Sequence, residues 1–167
     1  MTVVVGDLPD RVGVDKAVEA ADAVVNVAGH VKGSPKDLQQ RAVEAILQAM
    51  RDHGVRRLVT LTGAGVRAEG DQPTLVDKAF RFALSKLQPD LLADSQAYVD
   101  LVRRSDRRWT IVRVPRLTDG APKGTYRVAS HVGAATGTKL DRADLATFIL
   151  DELDQHGFMG AQPVVTN

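Results

Sequence analysis

Alternating apolar segments predict an α/β fold in which helices cover both faces of a mostly parallel sheet. Short β-branched runs are typical of strands buried on both faces, and longer stretches with apolar residues at helical spacing lie between them. Strands that alternate with helices favour a parallel, doubly wound sheet. The chain has 167 residues, of which 44% are apolar. This is enough for one core, and we expect a single domain over residues 1–167.

The elements follow one another without a repeat or an obvious linker. Capping residues and prolines mark where the helices begin, and in chain order these are Asp10, Ser34 with Pro35, Pro73, Pro89 and Asp141. The predicted strands are residues 2–5, 23–28, 57–62, 109–114, 126–129 and 163–166. An irregular stretch rich in Gly and Pro, residues 115–124, interrupts the alternation.

The composition argues against several classes of function. The 22 basic and 21 acidic residues nearly balance, and only 4% of residues are aromatic, so we expect no nucleic-acid partner. Cysteine is absent, which excludes disulfides and thiolate zinc sites, and the histidines lack metal-ligand spacing. No apolar stretch reaches membrane-span length. We expect a cytoplasmic protein with no membrane partner and no metal.

The loops after the predicted strands are the candidate ligand surface, because open α/β sheets bind ligands at the carboxyl ends of their strands. Glycine recurs in these loops, and it lets a flat ligand approach backbone N–H groups that a Cβ would block. A plain turn is the alternative at each position. The loops are residues 6–8, 28–30, 62–65 and 114–116.

Six segments in order carry a resemblance to a known family: "VVVGDL", "ADAVVNVAGH", "VRRLVTLTGAGV", "SDRRWTIVRVPRLTDG", "KGTYRV" and "LDRADLATFIL". Together they resemble the NmrA-like and biliverdin-reductase-B-like group of atypical short-chain dehydrogenases/reductases, and the match runs across essentially the whole chain. The resemblance implies a Rossmann-like fold and a bound nicotinamide dinucleotide, NADP.

The resemblance also implies where the cofactor lies. Asp7 corresponds to the acidic residue beside the adenine, and Thr62 to the hydroxyl residue near the nicotinamide and substrate, which makes Thr62 the candidate catalytic residue. The cofactor-binding positions fall on Asp7, Leu8, Val27, Ala28, Gly29, Thr62, Gly63, Val114, Pro115 and Arg116. The implied reaction is hydride transfer from NAD(P)H to an unknown small molecule. The alternatives are a non-catalytic NADP-sensing or interaction protein and a remnant that no longer binds cofactor.

The chain opens on the run Thr2–Val5, which corresponds to the third strand of the family. A dinucleotide-binding domain normally begins with a strand, a Gly-rich turn and a helix, so we expect a Rossmann-like sheet that is truncated at its N-terminus. The truncation would expose the edge of strand 23–28. We expect either that Thr2–Val5 pairs with this edge or that two chains pair there as a homodimer.

The residues offer no obvious proton donor. Related enzymes use a Tyr followed four residues later by Lys, but Tyr98 is followed at that spacing by Val102, and Tyr126 by Ser130. The reductase-B-like group manages hydride transfer without that pair, so its absence does not exclude redox chemistry.

Three further side chains are singled out by position. His30 is the only histidine near the proposed site. Asp94 matches an acidic position of the reductase-B-like group, but its helical location predicts a solvated charge. Arg113 lies inside an apolar strand and must reach a strand end or pair with a carboxylate, because a buried unpaired charge is very costly.

Overall fold

The computed structural model describes residues 2–134 and 136–167. The helices are α1 (Arg11–Val18), α2 (Leu38–Asp52), α3 (Leu75–Leu87), α4 (Pro89–Arg104) and α5 (Arg142–Gln155). The strands are β1 (Ala23–Asn26), β2 (Arg57–Gly63), β3 (Arg108–Val114), β4 (Arg116–Thr118), β5 (Arg127–Ala129), β6 (Lys139–Asp141) and β7 (Val164–Thr166). The predicted alternation of strands and helices is confirmed.

A five-stranded sheet in the order β1-β2-β3-β7-β5 forms the centre of the molecule. The pairs from β1 to β7 are parallel, and β5 is antiparallel to β7. The longest ladder joins β2 and β3 over seven residue pairs, from Arg57 with Arg108 to Gly63 with Val114. This register brings the ends of β2 and β3 to the same level at one edge of the sheet.

Apolar layers cover both faces of the sheet, as a doubly wound fold requires. Successive residues of a strand point to opposite faces, so Leu58 and Ile111 pack with α1, α2 and α4, whereas Val59 and Val112 pack with α5. Helix α1 begins at Asp10, whose side chain accepts from the backbone N–H groups of Val12 and Gly13. The cap predicted at Asp10 is therefore confirmed.

The prediction of a buried strand at Thr2–Val5 is wrong. These residues form no strand, and the side chains of Val3 and Val5 are 72% and 93% exposed. A β-branched run forms a strand only where a neighbouring strand takes its backbone hydrogen bonds and its faces are covered, and β1 pairs only with β2 among the described strands. The predicted pairing of Thr2–Val5 with β1 is therefore also wrong, while pairing of two chains at this edge stays a prediction.

The patterns missed two short strands, β4 and β6, which pair in a separate parallel ladder next to the last helix. Each has three residues and lacks the alternation that indicates a strand. Within residues 2–134 and 136–167, no helix is both long and apolar enough to cross a membrane.

Helix α3 has an unusual orientation, because its apolar side faces solvent. Thr74 and Asp77 form a reciprocal cap at its start. The side chains of Val76, Phe80 and Leu87 lie on one stripe of the helix and are exposed. Arg81 and other residues of the polar side are partly buried against the protein.

Candidate functional site

A cavity of about 250 Å³ lies at the carboxyl ends of β1, β2 and β3, and we call it the strand-end cavity. It gathers six of the ten residues that the sequence predicts to bind cofactor, namely Val27, Ala28, Gly29, Thr62, Gly63 and Val114. Other lining residues, which those predictions did not include, are His30, Gln39, Tyr98 and Leu117. The parallel register of the three strands is what brings these loops together.

The remaining four predicted residues lie elsewhere. Asp7 and Leu8 line a separate cavity of about 550 Å³, together with Ser34 and Arg41. Pro115 and Arg116 line neither cavity, and Arg116 starts the ladder of β4 with β6.

Polar side chains hold the loop after β1 in place. The Asn26 amide donates to the Thr60 hydroxyl on β2 at 3.2 Å, and its oxygen accepts from the backbone N–H of Ala28. The Gln39 amide donates to the carbonyl oxygen of Ala28 at 2.7 Å. A Cβ added at Gly29 would meet no heavy atom within 4 Å. The space beside this loop is therefore open to a ligand.

Thr62 presents a buried hydroxyl to the strand-end cavity. Its side chain is 5% exposed, and its Oγ1 has no partner with hydrogen-bond geometry among the described residues. The neighbouring Tyr98 hydroxyl donates to the backbone carbonyl of Leu61 instead. Burial raises the pKa of Tyr98 well above its ordinary value, although the nearby Thr62 hydroxyl acts in the opposite direction. Thr62 and Tyr98 thus lie side by side in the wall of the strand-end cavity.

His30 and Asp94 form a close pair at the same cavity. His30 Nε2 lies 2.6 Å from Asp94 Oδ2, and the side chains are 16% and 2% exposed. The prediction that Asp94 is a solvated charge is wrong. Its two carboxylate oxygens accept from the backbone N–H groups of Gln39 and Gln40, at 2.9 and 3.0 Å.

This arrangement also explains the start of α2. The predicted cap Ser34 accepts from the N–H of Val31, and the helix begins four residues later, at Leu38. Asp94 supplies the cap from α4, because a carboxylate is stabilised by free N–H groups at a helix N-terminus. A cap that is 55 residues away leaves no local signal in the sequence.

The buried Arg113 has found the carboxylate that its position requires, so that prediction is confirmed. Its guanidinium is 0% exposed and donates to both oxygens of Asp71, at 2.8 and 2.7 Å. It also donates to the backbone carbonyls of Gln162 and Ser130. Although burial alone raises the pKa of the Asp71 carboxyl, hydrogen bonds from Arg113 and from the backbone of Ala68 and Val132 outweigh it, and the pKa lies below its ordinary value.

A third cavity, of about 600 Å³, lies between α3 and the loop after β2, and we call it the α3 cavity. It shares Gly65, Val66 and Leu92 with the strand-end cavity. Three basic side chains line it, those of Arg67, Lys78 and Arg81. The sequence patterns predicted no role for any of the three.

The parallel sheet, its two helical layers and a cavity at the strand ends define a doubly wound α/β protein, a class that binds its ligands at the carboxyl ends of the strands. The model of a family of NAD(P)H-binding proteins matches residues 1–156. The chain belongs to this NAD(P)H-binding family, and the predicted Rossmann-like fold is confirmed.

Solved structures share the fold at low sequence identity. A short-chain dehydrogenase/reductase from Veillonella parvula, in complex with NADP, is 19% identical with a TM-score of 0.81, over 99% of this chain and 72% of that one. The oxidoreductase YlbE from Lactococcus lactis is 16% identical with a TM-score of 0.78, over 99% and 71%. An anaerobillin reductase from Escherichia coli O157:H7 is 17% identical with a TM-score of 0.76, over 98% and 74%.

Proposed function

We propose that the protein is an NADPH-dependent reductase in which His30 supplies the proton that accompanies the hydride. The observation that carries this proposal is the contact of His30 with the buried Asp94 in the cavity that also holds Thr62. The resemblance to the reductase-B-like group and the NADP in the similar structure from Veillonella parvula support this choice of cofactor.

The residues present fit a nicotinamide dinucleotide. The open space beside Gly29 and Gly63, in the cavity that Thr62 also lines, suits a flat ring next to the strand ends. Asp7 and Leu8 would hold the adenine end in their own cavity. When bound, the reduced cofactor supplies a hydride, which carries two electrons to an electrophilic double bond of the acceptor.

The product of hydride addition needs one proton, and His30 lines the cavity where the acceptor would bind. A protonated imidazole has an N–H on both nitrogens. With Nε2 held by the Asp94 carboxylate at 2.6 Å, Nδ1–H would remain to donate to the acceptor. The contact with the Asp94 carboxylate fixes the orientation of the imidazole ring, which makes Asp94 a positioning residue. Tyr98 does not take this role, because its hydroxyl donates to Leu61.

Thermal unfolding with and without NADPH tests cofactor binding. A ligand that binds only the folded chain stabilises it by about 2.7 kcal/mol at one hundred times its dissociation constant. For a chain of this size we expect the midpoint to rise by about 5–11 °C under that condition. A cooperative transition whose midpoint does not change in millimolar NADPH would contradict the proposed function.

A His30→Gln variant tests the proton donor. Oxidation of NADPH is followed with flavin and with an α,β-unsaturated ketone as acceptors. Loss of a positioned acid lowers kcat by about 10²–10⁴-fold, and we expect the midpoint shift with NADPH to be kept. His53→Gln is the matched control, because His53 pairs with Asp15 at 3.1 Å and does not line the cavity. NADPH binding by the unaltered chain without turnover of any acceptor would favour the non-catalytic sensor instead.

A further inference from the structure

We propose that the α3 cavity binds the carboxylate of an acceptor with an apolar or aromatic body, held by Arg67 and Arg81. The proposal deepens the reductase function above and rests on it, because it places the acceptor next to the strand-end cavity. Nothing in the sequence resemblance assigned a role to either arginine.

The first observation is an excess of positive charge in the α3 cavity. Arg67, Lys78 and Arg81 line it, and within residues 2–134 and 136–167 none of them has a carboxylate oxygen within 4.0 Å. The two acidic lining residues are already engaged. Asp71 receives two hydrogen bonds from Arg113, and Asp77 receives those of the Thr74 cap. Because Arg113 neutralises Asp71, the three lining cations face one further carboxylate, that of Asp77, and the cavity wall carries a net positive charge.

The second observation is that Arg67 and Arg81 line the same cavity and that a hydrogen bond holds Arg81 at its wall. Arg81 is partly buried and donates to the backbone carbonyl of Gly65, which holds its guanidinium at the cavity wall. Burial, and then the nearby charge of Arg67, lower the pKa of Arg81 below its ordinary value. Arg67 is exposed, whereas Arg81 is partly buried. A partly buried guanidinium near a second one is stabilised when an anion binds between them.

The third observation is the orientation of α3. An amphipathic helix ordinarily packs its apolar face on the protein. Here Asp77, Arg81 and Ser85 line the cavity, while the apolar stripe through Val76 and Phe80 is exposed. The polar face is thus directed at the cavity, where a polar ligand can use it.

The apolar part of the α3 cavity wall indicates the chemistry of the rest of the ligand. Val66, Pro73, Phe82, Leu92 and Val132 supply apolar surface beside the two arginines. A flat or apolar body fits against these side chains, while its carboxylate contacts the guanidinium groups. Val66 and Leu92 also line the strand-end cavity, so the far end of the same molecule would lie towards Thr62.

A phosphate of the cofactor is the other anion that two arginines could hold. Carboxylate and phosphate share the same bidentate chemistry. The experiment must therefore separate an acceptor site from a cofactor site. Direct binding measurements separate the two without turnover. Naphthoate and its neutral counterpart naphthamide test recognition of a carboxylate, and NADPH and NADH test recognition of the extra phosphate of NADPH.

We expect naphthoate to bind the unaltered chain about ten-fold more tightly than naphthamide, which is the effect of one well-placed ionic contact. In a double variant, Arg67→Met with Arg81→Met, this preference should fall to about two-fold or less, with NADPH binding unchanged. Lys86→Met is the matched control on the same helix, since Lys86 does not line the cavity, and it should keep the preference. Arg67→Met alone, which removes no hydrogen bond within the described residues, serves if the double variant folds poorly.

Equal affinity of the unaltered chain for naphthoate and naphthamide would overturn the proposal. A loss of NADPH binding in the double variant, with NADH binding kept, would also overturn it and assign the arginines to a cofactor phosphate. If naphthoate is preferred but NADPH does not bind, the anion site stands and the reductase function fails. The two failures are therefore distinguishable.

Discussion

Replacement of Asp71 by Asn tests how much the ion pair with Arg113 contributes to the fold. Arg113 is fully buried, so Asp71→Asn leaves a charge without its counter-charge inside the protein. Breaking a buried pair by removing one partner costs about 3–5 kcal/mol. We take about 3 kcal/mol, because the Asp71 side chain keeps 12% exposure. For a chain of 150–250 residues this lowers the unfolding midpoint by about 6–12 °C.

The pH dependence of the unfolding free energy is a second test of the pair of Asp71 with Arg113. The pKa of Asp71 is lowered in the folded protein. Its contribution is therefore fully present above the unfolded pKa of about 4, and it is lost as the pH falls through the folded value. Urea unfolding at neutral and acidic pH should show a difference between Asp71→Asn and the unaltered chain that shrinks in acid.

Asp119→Asn is the control for this measurement, because Asp119 pairs with Arg142 but its side chain is 86% exposed. We expect its effect to stay within about 0.5 kcal/mol. A loss below about 1 kcal/mol for Asp71→Asn at neutral pH would refute the view that Arg113 depends on this carboxylate.

Three further substitutions probe other parts of the fold, each by urea or thermal unfolding. Glu152→Gln removes the carboxylate that accepts from Arg57 at 2.7 Å and from the Thr110 hydroxyl at 2.8 Å. It should lower the free energy of unfolding by about 3 kcal/mol, and a loss below about 1 kcal/mol would contradict this. Tyr98→Phe leaves the Leu61 carbonyl without its donor and should cost about 1–2 kcal/mol, so an unchanged stability would count against that bond. Gly70→Ala puts a Cβ at φ +84° and in steric conflict with the His131 ring, which should cost about 1–2 kcal/mol for the backbone alone. When His131→Ala is added to Gly70→Ala, it should recover only the part of the stability loss that comes from the steric conflict with the ring.

Much of the fold was predictable because burial leaves a periodic pattern. The runs that became β2 and β3 are apolar on both faces, and the helix that became α4 begins at the predicted Pro89. The run Thr2–Val5 has the same composition as a buried strand and was misassigned. Composition reports what a segment could do, whereas a strand also requires a partner edge, which lies outside the local sequence.

The sequence predicts the part of the candidate site that lies in the loops after the strands. It does not predict the part that is built by side chains from distant elements. The strand ends carry their glycines and Thr62 in the local sequence, so these positions could be listed in advance. The pairing of His30 with Asp94 joins residues 64 positions apart, and Arg81 reaches its cavity from a helix that packs with its polar side inward. A periodic pattern predicts which residues share a helix face but assumes that the apolar face is buried.

The ion pair of Arg113 with Asp71 links the stability of the fold to the shape of the strand-end cavity and of the α3 cavity. Arg113 lies on β3, whose end borders the strand-end cavity, and its partner Asp71 lines the α3 cavity. Asp71 also accepts from the N–H groups of Ala68 and Val132, so one carboxylate holds two loops against the end of the sheet. A ligand that spans the two cavities would depend on this spacing, because Val66 lines both of them. We therefore expect the pair of Arg113 with Asp71 to set the geometry of ligand binding as well as the stability of the fold. A substitution of Thr62 should change ligand binding without the loss of stability that we expect for Asp71→Asn.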